Sequence, residues 1–247
     1  MRAFGPHPDD VELFCGGLLA RLGDQGYRVG VVDLTRGERA SRGTPETRAG
    51  ETAAASRILG LDLRENLGLP DAGLRADDEA QVLAVVLALR RQRPEFVLAP
   101  WERERHPDHE ATSALVTRAV FLAGLRKFEC EPPLPPSTPR QVLYYPLRQL
   151  ATPSFVVDTT AAAERKMAAV GCYQSQVGPL GESQPPTLVG SALSLSSLDA
   201  RDRFYGAQIG AAHGEPYLVR NALGLLDPLA HFRANALASP LFFPEGR

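Results

Sequence analysis

Residues 2–17, RAFGPHPDDVELFCGG, join a short apolar segment to a helical one through a proline-flanked cluster of one histidine and two aspartates. Residues 2–5 read as a strand, though a very short one. Pro6 fixes φ and removes an N–H donor at its end. Residues 11–25 carry Leu13, Phe14, Leu18, Leu19 and Leu22 at helical spacing, and Gly26 stops the helix. A dinucleotide-binding fold would place GxGxxG between that strand and that helix. Here the position holds HPDD. Gly16 and Gly17 fall inside the helix, where they favour close packing over phosphate binding. No GxxxxGK[ST] and no GxSxG occurs, so neither a P-loop nor a serine-hydrolase elbow is supported.

Outward from this stretch, strand and helix alternate. Residues 28–35 (RVGVVDLT) form a β-branched strand. Residues 45–59 form a helix with Thr44 as its N-cap and Pro45 in its first turn. Residues 63–67 are a weaker strand, 79–92 an amphipathic helix and 95–99 (EFVLA) a strand. A helix over 107–125 opens inside HPDH. Short links between alternating elements imply a parallel sheet covered on both faces. After residue 128 the pattern changes. ECEPPLPPSTPRQ is proline-rich and reads as a surface loop. Strands follow at 141–145 and 154–158, then a helix over 160–173, a loop over 174–186, a helix over 195–210 and a short extended segment at 217–220. The fold expected is α/β: a Rossmann-like, mostly parallel sheet with helices on both faces. A smaller C-terminal strand and helix portion follows a core of about 1–128, all within one domain.

The bulk numbers narrow the function. The chain has 247 residues, 44% hydrophobic and 23% charged, which suits one soluble globular domain. A formal net charge of −2 supplies no basic field for nucleic acid. No apolar run reaches the roughly 18 residues of a membrane helix, and no signal-peptide pattern opens the chain. Three cysteines without CxxC spacing read as reduced thiols. A cytoplasmic protein that binds neither membrane nor nucleic acid is expected.

Three of the five histidines sit in two clusters, His7 in HPDD and His106 and His109 in HPDH. Each cluster follows a strand. In an open α/β sheet the carboxyl ends of the strands form the ligand crevice, so the clusters should meet. Either one alone reads as a helix cap, since Asp and Pro favour helix starts. Capping, however, needs an oxygen and never three imidazoles. His106 and His109 are three apart and share a side of one helical turn. Imidazoles with a carboxylate suit zinc with a position left open for water.

These motifs resemble the LmbE-like (PIG-L) family of zinc-dependent N-acetylglucosaminyl deacetylases. DVELFCGG, VVDLTRGE, RGTPETR, ENLGLPD, FLAGLRK, QVLYY, PSFVVD and RFYGAQIG are similar to its bacillithiol-biosynthesis branch. The resemblance implies one zinc per chain held by His7, Asp10 and His109. It implies Asp9 as general base toward water and His106 as oxyanion stabiliser, as an imidazolium. Asp108 would orient a motif histidine. Arg48 and Arg105 would bind substrate, the small-molecule amino sugar N-acetylglucosaminyl L-malate, whose carboxylates suit an arginine fork. Without the resemblance both arginines read as surface charge. A homo-oligomer, often a hexamer in this branch, is implied too.

Pro6 departs from the small residue the family usually has before HPDD. His213 stands where an aromatic is common and reads as a surface turn, while Tyr205 reads as packing. Two other readings stay open. One is hydrolysis of another N-acetyl sugar or of a thiol-conjugate amide. The other is a non-catalytic metal- or nucleotide-binding module. Asp9 weighs against the last, because a structural zinc site closes its fourth position and needs no free base.

Overall fold

The computed structural model describes residues 1–178 and 194–234. Five strands form one parallel sheet: β1 (Arg2–Gly5), β2 (Gly30–Thr35), β3 (Leu63–Leu69), β4 (Phe96–Pro100) and β5 (Gln141–Tyr145), in the order β3-β2-β1-β4-β5. The short β1 is central. It is held on both sides, with Arg2 and Ala3 beside Val97 and Leu98 of β4 and all four residues beside β2. The fifth strand comes from beyond residue 128, so the sheet is not complete within 1–128.

Alternation along the strands divides the core. Ala3, Val31 and Leu98 point to one face. There they meet α1 (Asp10–Asp24) and α5 (Ala163–Val170). Phe4, Val32, Val97 and Ala99 point to the other and meet α3 (Glu79–Gln92) and α4 (Pro107–Gly124). Helix α2 (Pro45–Leu59) packs beside α1 and α5 through Ala55 and Leu59. The chain winds outward from β1 in both directions, so the sheet has its switch point between β1 and β4. Ligand crevices of such sheets open there, above the strand ends.

Several elements have the expected bounds. α2 starts on Thr44, whose side chain accepts from Thr47 N. α3 and β5 coincide with expectation. Three differ. The helix expected over 160–173 is a 3-10 turn (Thr160–Ala162) followed by α5. The loop expected over 174–186 begins with a single-turn helix, α6 (Gln174–Val177), and its residues from 179 on lie outside the described ones. The last strand, β7 (Gly214–Tyr217), lies three residues earlier than 217–220. Its register is set by antiparallel pairing with β6 (Phe155–Asp158), Phe155 opposite Tyr217. Helices α7 (Ser194–Ala207) and α8 (Pro228–Ala234) complete the described chain.

Helix α1 is broken at Cys15 (φ −144°, ψ 15°). The break frees the N–H groups of Gly17 and Leu18, which donate to the two carboxylate oxygens of Glu215 at 2.9 and 2.8 Å. A Cβ on Gly17 would lie 2.9 Å from both Glu215 Oε1 and Thr159 Cβ, so glycine is what lets this side chain approach. Glu215 is fully buried and accepts from Tyr217 Oη at 2.9 Å. Lys166 is its counter-charge: Nζ lies 2.8 Å from Glu215 and 2.5 Å from Asp202. Removing one partner of such a pair leaves uncompensated buried charge. Lys166→Ala should therefore cost about 3–5 kcal/mol of stability. Urea denaturation checks this, and a loss below about 1 kcal/mol would mean that water reaches these carboxylates.

Candidate active site

The site is built on the ends of three strands. Residues 7–10 follow β1, Asp71 follows β3, and residues 104–109 follow β4 into α4. All of them except Pro8, Pro107 and Asp108 line a cleft of about 240 Å³ with Arg39, Arg48 and Arg148. The two histidine clusters meet as expected. Ring centroids of His7 and His106 lie 5.0 Å apart, His7 and His109 5.6 Å, and His106 and His109 4.9 Å.

Asp10 Oδ2 is the hub. It lies 3.0 Å from His7 Nδ1 and 3.4 Å from His109 Nε2, and it accepts from His7 N at 3.1 Å. Tetrahedral zinc with bonds of about 2.0–2.2 Å needs donor atoms roughly 3.3 Å apart. Donor atoms of His7, Asp10 and His109 all lie within 4.8 Å of one another. His7 Nε2, the nitrogen turned away from Asp10, faces Asp71 Oδ1 at 3.1 Å and Asp108 Oδ2 at 3.4 Å. A metal-site histidine characteristically gives its second N–H to a carboxylate. His109 Nδ1 is buried with no hydrogen-bond partner among the described residues.

A second set, His7, His106 and Asp108, is also close enough. It fits less well, because its atoms are already engaged. Asp108 accepts from Ala72 N at 2.7 Å and Leu74 N at 3.3 Å. His106 Nδ1 accepts from Asp108 N at 3.2 Å. The expectation that a helix cap needs an oxygen is corrected here, since His106 caps α4 with a ring nitrogen. Asp9 is at the N-cap of α1 but makes no capping bond.

The electrostatics favour a cation. Burial opposes charge on His7, yet Asp10, Asp108 and Asp71 outweigh it and push its pKa well up. Burial likewise opposes charge on Asp10, but His109 and His7 hold it well below the usual carboxylate range. Asp71 is held at about 2 against its own burial by His7 and the Arg39 N–H. The His7 ring thus sits among three carboxylates.

Asp9 differs from its neighbour. Its φ is 109°, a region that disfavours any side chain and costs about 1–3 kcal/mol. Burial raises its pKa to about 7, against the pull of Arg48 and with the push of Asp10. Its Oδ1 lies 3.3 Å from Arg48 Nη2, which also donates to the Pro8 carbonyl. Arg48 is 3% exposed, so reading it as surface charge is corrected. Its guanidinium occupies the space beside Gly37 (φ +65°), where a Cβ would collide with it. Arg105 is exposed at the cleft mouth.

The surroundings of His106 weigh against the imidazolium expected there. Burial, then His109 and His7, lower its pKa. Because Nδ1 accepts a backbone N–H, the neutral ring carries its proton on Nε2. Tyr205 is buried, bonding Ala151 O at 3.2 Å. His213 bonds Asp199 at 2.9 Å and does not line the cleft.

Asp71 was missed by sequence reading. Asp71→Asn should weaken metal binding about 10- to 100-fold, as loss of a carboxylate behind a ligand histidine does. Zinc titration against a competing chelator measures this. Unchanged affinity would separate Asp71 from the metal.

Residues 2–120 match the family model described as PIG-L, GlcNAc-PI de-N-acetylase. The chain is 30% identical over 181 residues to a diacetylchitobiose deacetylase of Thermococcus kodakarensis, covering 69% of this chain and 67% of that one. It is 27% identical to a probable N-acetyl-alpha-D-glucosaminyl L-malate deacetylase 2 of Bacillus cereus, covering 69% and 80%. A 4-oxalmesaconate hydratase of Pseudomonas putida is 28% identical over 69% and 71%. The conserved protein TT1542 from Thermus thermophilus has the same fold, with a TM-score of 0.82 and 43% identity over 92% of this chain and 96% of that one. The strand order, the two histidine clusters at one sheet edge and these similarities agree: the chain belongs to the GlcNAc-PI de-N-acetylase (PIG-L) family.

Proposed function

We propose that this protein is a zinc-dependent N-deacetylase that hydrolyses the acetamide of N-acetylglucosaminyl L-malate in bacillithiol biosynthesis. One observation carries the reading. Three donor groups, His7, Asp10 and His109, converge while the adjacent Asp9 is turned to Arg48. A purely structural site would have no use for a second carboxylate held beside the ligands but turned away from them. The malate conjugate is favoured by the sequence blocks shared with the bacillithiol branch and by the similarity to the Bacillus cereus deacetylase.

A zinc ion held by His7, Asp10 and His109, one per chain, would lower the pKa of water and polarise the amide carbonyl. The protein's own groups do the rest. Asp9 takes a proton as the water oxygen bonds to the acyl carbon. His106, with its proton on Nε2, donates to the carbonyl oxygen as negative charge gathers there. Such a bond is stronger in the transition state than in the ground state. The C–N bond then breaks, the amine takes a proton, and acetate and the free amino sugar leave. Asp71 and Asp108 keep the His7 ring in one orientation. The proposal extends to a homo-oligomer, a hexamer in this branch, and to a cytoplasmic setting. Among the described residues no helix is long and apolar enough to cross a membrane.

Asp9→Asn should keep one zinc per chain and lose about 10²- to 10⁴-fold in turnover, because an amide cannot take the proton. Near-normal turnover would remove Asp9 as the base. His109→Ala should lose the metal, read by elemental analysis, and retention of one zinc would reject the ligand set. Amine release should require metal and be faster from N-acetylglucosaminyl malate than from N-acetylglucosamine or a thiol conjugate. Equal rates on all three would leave a deacetylase of broader substrate range.

A further inference from the structure

The floor and the rim of the cleft carry opposite charge. Asp9, Asp10 and Asp71 form the floor, with Asp108 behind His7, and Arg39, Arg105 and Arg148 line the rim. None of the three rim arginines lies within 4 Å of a carboxylate among the described residues. No contact ion pair ties them to the floor; burial lowers the pKa of Arg148 and outweighs the charges of Asp10 and Asp9, which reach it across the cleft. Arg39 and Arg105 are exposed, whereas Arg148 is half-buried, with its guanidinium 5.7 Å from the centre of the Phe14 ring.

Arg148 is also placed by an unusual anchor. Glu104, two residues before His106, is 5% exposed. Its Oε1 accepts three successive backbone N–H groups, from Leu147 at 2.8 Å, Arg148 at 3.0 Å and Gln149 at 3.2 Å. Successive N–H groups that converge in this way make an anion-binding nest. Here the anion is supplied by the chain itself. The result joins the loop before α4, which brings His106 and His109, to the loop after β5, which brings Arg148. Glu104 Oε2 is buried and has no partner among the described residues. A side chain kept in so dry a place to hold one loop implies that the position of that loop matters.

We propose that Arg148 is the specificity-determining residue for a carboxylate on the aglycone of the substrate, and that Glu104 is the positioning residue that fixes it over the cleft. This rests on the N-deacetylase reading for the identity of the sugar, not for the recognition of the anion. A planar guanidinium with no acid in contact and partly withdrawn from water is a strong carboxylate receptor. Arg105 adds charge from the opposite loop. Arg48, tied to Asp9 and the Pro8 carbonyl, is left to the catalytic floor.

The test is binding without turnover. Zinc-loaded protein is titrated by calorimetry with glucosaminyl L-malate and with uncharged methyl glucosaminide. The native chain should bind the malate conjugate roughly 10- to 100-fold more tightly, the range of one or two charge-assisted bonds. Arg148→Met keeps an apolar stem against Phe14 and should abolish most of that preference. Glu104→Ala should do the same, whereas Glu104→Gln, which still offers an oxygen to the three N–H groups, should restore it. No preference in the native chain would overturn the proposal. So would a preference that survives Arg148→Met, or equal behaviour of Glu104→Ala and Glu104→Gln. A chain that shows the preference yet releases no amine from any N-acetyl sugar would sink the deacetylase reading and leave this one standing.

Discussion

The parallel pairing of β1 with β4 is the constraint on which the site depends. Two backbone registers, Arg2 beside Val97 and Ala3 beside Leu98, bring two segments about 100 residues apart to the same sheet edge. Because the strands are parallel, both end on that edge. Each then hands over to a helix, and each handover carries histidine and aspartate. A one-residue slip would turn Ala3 and Phe4 to the wrong faces of the sheet, so the core that fixes the register also fixes the site.

Above this edge, charge does the sorting. Asp9 and Asp10 are neighbours, yet the fold gives them opposite environments. Asp10 sits between two imidazoles and stays ionised, while Asp9 is buried beside one guanidinium with a pKa near 7. A ligand should hold its negative charge in the presence of a cation. A base should be poised to exchange a proton near neutral pH. The positive φ of Asp9 is the local backbone strain that accompanies this division. The second tier repeats the logic: Asp71 and Asp108 face His7, and backbone N–H groups in turn hold both carboxylates.

Much of the architecture was legible in the sequence because it depends on local pattern. Alternating β-branched runs gave the strands. Thr44 with Pro45 gave the start of α2, and the imidazole-rich clusters stood out against only five histidines in the chain. What was not legible depends on partners far away in the chain. Asp71 is one acid after a strand, and nothing near it reveals that its partner is His7. The break in α1 at Cys15 is stabilised by Glu215, some 200 residues later. Arg48 looked like solvent-facing charge because its burial comes from Gly37 and the Pro8 carbonyl. The charge of His106 also could not be read from HPDH, since it depends on two other imidazoles and one backbone N–H. The hydratase among the relatives marks a similar limit, because one scaffold can serve another reaction through its loops.

The most direct measurement is an anomalous difference map at the zinc edge from crystals of the zinc-loaded chain. The expected result is a single peak about 2.0–2.2 Å from ligand atoms of His7, Asp10 and His109, with both oxygens of Asp9 outside bonding distance. A peak bounded by His7, His106 and Asp108, or one bonded to Asp9, would contradict the assignment of ligands and base.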